Sequence, residues 1–303
     1  MQQNLSSLVA GLLALAVTAP ASATSVVASI KPVELLVKAV AGDSVEVSTL
    51  LPPGSSPHHY SMKPSQRRAL EQADVVFWVG PDMETFLERL LDGKEFSGRA
   101  VAFLDREVRA NGADEHEADG HDHHHNHGDG EDPHIWIDPI RALEMAGDIR
   151  NALADMGGVD MELLDANLAR FEADLRETET RIRASFSGLD TISLFAYHSA
   201  FERFADHYGL KLEGVLTLNP ELSPGARHIA EVQSKLATAE QACLLTEPQF
   251  NRQWWRSITD GLNVQFSTWD PLATDIKSTP TGYLAFQQSI ADSVLECLPE
   301  QAE

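Results

Sequence analysis

The 303-residue sequence is short of several things at once. It has two cysteines, Cys243 and Cys297. A zinc site of four thiolates is therefore excluded by count, and a C-x-x-C redox pair by spacing. Its 23 Lys and Arg stand against 46 Asp and Glu, a formal charge of −23. A chain so poor in cations offers no basic patch to nucleic acid or to an anionic membrane surface; cations are its natural ligands. H-E-x-x-H, the helical zinc-hydrolase motif, is missing. Long apolar runs are missing too. The one near the start, Leu8 to Val17, is too short to span a bilayer, and residues 1–23 contain no Lys or Arg. That run leads into Pro20 and Ala21-Ser22-Ala23, small residues at cleavage-site spacing, so residues 1–23 read as a secretory signal and Thr24 as the mature start. No cysteine stands there to carry a lipid. In an exported chain the even cysteine count leads us to expect a Cys243–Cys297 disulfide.

From Thr24 the pattern alternates. β-Branched runs ("SVVASI", "VEVSTLL", "VVFWVG", "AVAF") are separated by apolar-periodic helices, and the alternation resumes after residue 189 with "TISLFAY", "LEGVLTL", "ACLLT" and "NVQFSTW". Strands alternating with helices imply parallel sheets covered on both faces. Between the two series lies the longest helical pattern, "DMELLDANLARFEADLRETETRIRASFSG", with Asp160 placed to cap it and Gly188 to end it. The expected architecture is α/β with two lobes: residues 24–157, a rigid linking helix at 158–188, and residues 189–303. A cleft between the lobes would hold the site.

Residues 111–131 interrupt this order with "NGADEHEADGHDHHHNHGDGE", too polar to pack and expected to lack fixed structure. Its His116, His121, His123, His124, His125 and His127 could gather metal weakly. They make a poor tight site, because ordering a floppy loop costs roughly 1–2 kcal/mol per residue. The better candidates stand alone near strand ends, where open α/β sheets bind ligands. His58 follows "VEVSTLL", His134 follows "AVAF" across the tract, His198 ends "TISLFAY", and Asp270 follows "NVQFSTW". Three imidazoles and a carboxylate suit tetrahedral Zn²⁺ better than calcium or magnesium, which prefer all-oxygen shells. Glu247, in "TEPQF", could accept a hydrogen bond behind a ligand or cap a helix. His59 reads as a neighbour of a ligand, and His207 and His228 as structural.

The stretches "LLPPGSSPHHYSMKPS", "DVVFWVGPDMETFL", "PHIWIDP", "LDANLARFEADL", "AYHSAFERFADHYGL", "NPELSPGARHIAEV", "EPQF" and "WDPLAT", with the acidic His tract, resemble the zinc-specific solute-binding proteins of bacterial ABC zinc importers. The resemblance covers essentially the whole mature sequence. It implies a periplasmic, monomeric, non-enzymatic zinc carrier that hands its ion to a membrane permease, with His58, His134 and His198 as the family's three histidine ligands. Some members place Glu before the first histidine as a further ligand; here Pro57 stands there. Asp270 matches an aspartate that ligates metal in related zinc or manganese binders, and is expected as the fourth ligand. The alternatives are a manganese-binding relative of the same fold and, further off, a zinc-dependent hydrolase.

Overall fold

The computed structural model describes residues 23–104, 132–187, 189–217, 224–250 and 252–298. Residues 1–22 of the expected signal and the whole 111–131 tract lie outside them.

The first lobe is built on strands β1 (Thr24–Ala28), β2 (Val45–Thr49), β3 (Val75–Trp78) and β4 (Ala100–Ala102), interleaved with helices α1 (Lys31–Ala41), α2 (Pro64–Gln72) and α3 (Thr85–Leu91). Its sheet is parallel, in the order β2-β1-β3-β4. Two longer helices follow, α4 (Pro139–Met156) and α5 (Met161–Ser185). The second lobe repeats the plan with β5 (Ser193–His198), α6 (Glu202–Tyr208), β6 (Leu212–Thr217), α7 (Ala226–Thr238), β7 (Ala242–Thr246), α8 (Arg252–Thr259) and β8 (Val264–Thr268). Its sheet is also parallel, in the equivalent order β6-β5-β7-β8. The last helix is α9 (Gly282–Leu295).

The central strands β1, β3, β5 and β7 are largely buried on both faces, as continuous apolar runs in a parallel sheet require, while the outer strands β2, β4 and β8 are partly exposed. Along β1, Val26 and Ala28 face the main core while Val27 faces a second cluster with Leu70 and Phe96. Along β5, Leu194 and Ala196 face the main core, and Phe195 and Tyr197 a third cluster with Trp255. The main core is shared by the lobes: it runs without a break from Val26 and Leu35 through Phe171 and Leu175 to Leu194, Trp269 and Phe286.

Helix boundaries follow local chemistry. Asp138 caps α4 by accepting from the Ile140 amide, with Pro139 at the first helical position. Asp160 caps α5 by accepting from the Glu162 amide, as the sequence predicts. Between these helices Gly157 and Gly158 both take positive φ, 71° and 85°, which a side chain would resist. Helix α5 has 25 residues and reaches about 40 Å at 1.5 Å each. It packs against α1, α4 and α9. Helix α9, expected with the second lobe, also lies on α1. The close approach needs Gly282, where an added Cβ would meet Leu35 Cδ2 at 2.7 Å. The expected disulfide is present: Cys243 in β7 is bonded to Cys297 just beyond α9. No helix among the described residues is long and apolar enough to cross a membrane.

Candidate metal centre

Three side chains from distant parts of the chain meet at the carboxyl ends of the strands. His58 lies in the loop between β2 and α2, residues 50–63. Gln66 on α2 cinches that loop: its Nε2 donates to the Leu50 carbonyl, and its Oε1 accepts from the Lys63 amide at 2.8 Å and the Tyr60 hydroxyl at 3.0 Å. The His58 amide donates to Ser56 Oγ at 3.3 Å, fixing the tip. His134 leads a buried 3-10 turn, Ile135–Ile137, into α4. His198 is the last residue of β5, in extended backbone and 2 % exposed. None of the three has a positive φ; strand ends and short turns deliver the rings.

One ring nitrogen from each of His58, His134 and His198 lies within 4.8 Å of the other two. The Nε2 atoms of His58 and His134 are 3.1 Å apart. Two nitrogens bound at 2.0–2.1 Å on a tetrahedral ion sit about 3.3 Å apart, so this pair is already at ligand spacing. The His134 and His198 ring centroids are 4.7 Å apart and nearly perpendicular. The rings line a small cavity of about 20 Å³, walled by Trp136, Phe250 and Leu272, where a water-sized occupant needs about 10–15 Å³.

The outer nitrogens face carboxylates. His134 Nδ1 is 2.5 Å from Asp132 Oδ1, so Nδ1 carries the proton donated to the carboxylate and Nε2 keeps its lone pair for the cavity. Asp132 is itself held by Arg203 on α6, whose Nε lies 3.2 Å from Oδ2. Burial would raise the Asp132 carboxyl, but the His134 contact and the Arg203 charge outweigh it and hold it at about 2. On the other side, Glu247 Oε1, following β7, is 3.4 Å from His198 Nδ1. Both nitrogens of His198 and Oε1 of Glu247 are buried without a hydrogen-bond partner. Burial first, then the neighbouring imidazoles His134 and His198, push His58 down to about 2. Burial pushes His134 down as well, against the pull of Asp132. His58 and His134 are thus neutral at ordinary pH, the form in which imidazole ligates a metal.

Asp270 does not join this set among the described residues. Its carboxylate is occupied by its own turn: Oδ1 accepts from the Leu272 amide at 2.9 Å and from Gln249 Nε2, and Oδ2 from the Thr274 amide at 2.7 Å. The accessory histidines, His116, His121, His123, His124, His125 and His127, lie outside the described residues. His59 is exposed. His207 is packed between Glu179 and Asp138, with Nε2 2.6 Å from Glu179 Oε1. His228 Nε2 is 2.8 Å from the Val215 carbonyl. Both serve the fold, as the sequence reading expects. Sequence reasoning missed Asp132, which reads as one more acid of the tract; its signal is the spacing Asp132-Pro133-His134. Gln66 and Arg203 carry no sequence signal of their own.

Against known proteins, residues 26–297 match the family described as the periplasmic component A of a zinc-uptake complex. The sequence is 31% identical over 292 residues to the high-affinity zinc uptake system protein ZnuA of Yersinia pestis, covering 91% of this chain and 92% of that one. It is 32% identical over 300 residues to ZnuA of Haemophilus ducreyi, covering 94% and 96%. Among solved structures, a zinc-bound ZnuA deletion mutant superposes with a TM-score of 0.74 at 23% identity, over 93% of this chain and 100% of that one. The solute-binding protein FpvC of Pseudomonas aeruginosa in complex with Mn²⁺ superposes with a TM-score of 0.70 at 17% identity, over 91% and 99%. The chain belongs to the periplasmic zinc-uptake component A family.

Proposed function

We propose that this member of the zinc-uptake family captures Zn²⁺ as cargo through His58, His134 and His198 and delivers it, as a monomer, to the membrane permease of an ABC importer. The observation that carries the reading is the convergence of three imidazole nitrogens, two of them 3.1 Å apart. The fold does not choose the metal, since a manganese-bound protein shares it. The donors do: an imidazole-rich set suits zinc, whereas manganese favours more carboxylate. The nearby carboxylates stand behind imidazoles, where they orient ligands and offset the ion's charge; this is the arrangement of a binding site. Residues 1–23 export the chain to the periplasm and are removed.

Asp270 completes the tetrahedron if its carboxylate exchanges the Thr274 amide for the ion, which lowers the charge of the loaded centre from +2 to +1. The D270N variant then loses zinc affinity, while wild-type affinity in D270N assigns the fourth position to solvent. The tract from His116 to His127 gathers zinc weakly beside the tight site, so deleting 111–131 removes weak binding alone.

The functional test is complementation. In a host lacking its own periplasmic zinc-uptake component, the wild-type chain restores growth in zinc-poor medium and the His198→Ala variant does not. Equal rescue by both would refute the proposal.

A further inference from the structure

In sequence His134 sits with the first lobe, yet the turn that carries it is held from the far end of the chain. Tyr283 Oη donates to the Trp136 carbonyl at 2.9 Å. Gln287 Nε2 donates to the Ile137 carbonyl at 2.9 Å and to Tyr283 Oη at 2.8 Å. In the same turn, Trp136 Nε1 donates to the Pro271 carbonyl at 2.7 Å. Trp136, Tyr283 and Gln287 are all fully buried, so water does not replace a lost partner. Tyr283 and Gln287 are one helical turn apart on α9, on the same face. They grip carbonyls two and three residues beyond His134, and the rings of Trp136 and His134 lie 5.3 Å apart. Neither residue reaches the cavity lined by the three histidines.

We propose that Tyr283 and Gln287 are positioning residues for His134: by fixing the Ile135–Ile137 turn they set where its Nε2 stands, and through it the metal affinity of the centre. This deepens the zinc-capture reading and rests on it. A ligand must be held within about 0.5 Å of its productive place. The Asp132 contact fixes the tilt of the ring, and Arg203 on α6 anchors Asp132 at one end of the segment. The α9 links fix its other end to a helix that packs on α1 and is tied by the Cys243–Cys297 disulfide to β7, beside the strand that carries His198.

The test is a double-mutant cycle on the full chain, with zinc affinity read by competition against a chelating dye. Tyr283→Phe keeps the ring and removes the hydroxyl. It should weaken zinc binding by about tenfold, the size of effect seen when a ligand's supporting hydrogen bond is lost, and should change the visible spectrum of the cobalt-substituted protein. In a His134→Ala background the same substitution should change affinity by less than about twofold, because its route to the metal is gone. Wild-type affinity and cobalt spectrum in Tyr283→Phe, or an equal loss with and without His134, would overturn the inference. Gln287→Met asks the same question one link along, and decides it if Tyr283→Phe does not fold. His134→Ala binding zinc as tightly as wild type would instead sink the zinc-site reading on which the inference rests.

Discussion

The two lobes share a topology, and the equivalent point in each is used differently. In the first, β1 and β3 end beside a buried carboxylate, Glu84, which accepts from Ser29 Oγ, the Val79 amide and the Gly80 amide. In the second, β5 and β7 end at His198 and Glu247, whose facing atoms are buried and unpartnered. A buried polar atom left without a partner costs about 1–3 kcal/mol. The first lobe satisfies its polar atoms internally and gains a fastened strand end. The second leaves the inner nitrogen of His198, Nε2, without a partner beside the cavity, where a cation can satisfy it, with Glu247 behind the ring. The comparison teaches that the ligand position is the one where the fold declines an available structural use.

The largest expected effect concerns covalent support, which only the second lobe has. The disulfide closes a loop of 54 residues, worth about 4 kcal/mol by the chain-entropy argument. Cys297→Ser should lower the unfolding midpoint of the second lobe while leaving amide exchange in β1 and β3 nearly unchanged. Equal loss of protection in both sheets would show that the shared core couples the lobes into one unit.

The second prediction isolates Glu84. Burial pushes its carboxyl from 4.5 up to about 7, against the three donors. A raised folded-state pKa means that its stabilisation is complete below the unfolded value and is lost as pH rises through about 7. Relative to Glu84→Gln, which does not titrate, the wild-type chain should therefore gain stability as pH falls from 8 to 5. The gain should approach roughly 3 kcal/mol, at 1.36 kcal/mol per unit. A stability difference that is flat across this range would place the Glu84 pKa near its ordinary value.

A smaller effect is expected at the matching position. Glu247→Gln keeps the shape beside His198 but removes the charge that offsets the ion, and should weaken zinc binding by roughly 10–100-fold with little change in apo stability. Glu84→Gln should do the reverse, altering stability and sparing affinity. If both variants behave alike, the contrast between the two strand ends fails.

Much of this was legible in the sequence. β-Branched runs gave the eight strands, and Asp160 marked the start of α5. His58, His134 and His198 stood out because each is an isolated imidazole near a strand end, where a histidine has little structural work. Other parts had competing readings. Asp132 was hidden in an acidic tract, because composition does not tell one acid from the next. Asp270 reads as a ligand at a strand end and also as the anchor of its own turn, accepting from the Leu272 and Thr274 amides; D270N separates the two. The placement of α9 was not legible either. An apolar stripe says that a helix is covered, but not by which lobe, and the decisive feature was the absence of a side chain at Gly282.

The account stands or falls on one ion shared by three imidazoles. The direct measurement is a zinc titration of the metal-free chain lacking 111–131, alongside His58→Ala, His134→Ala and His198→Ala in the same background. One tight site per chain is expected, weakened in each variant by about a hundredfold or more, a quarter of the 10–16 kcal/mol typical of a four-ligand zinc site being about 2.5–4 kcal/mol. A tight site that survives the loss of any one of the three histidines, or that disappears with residues 111–131, would contradict it.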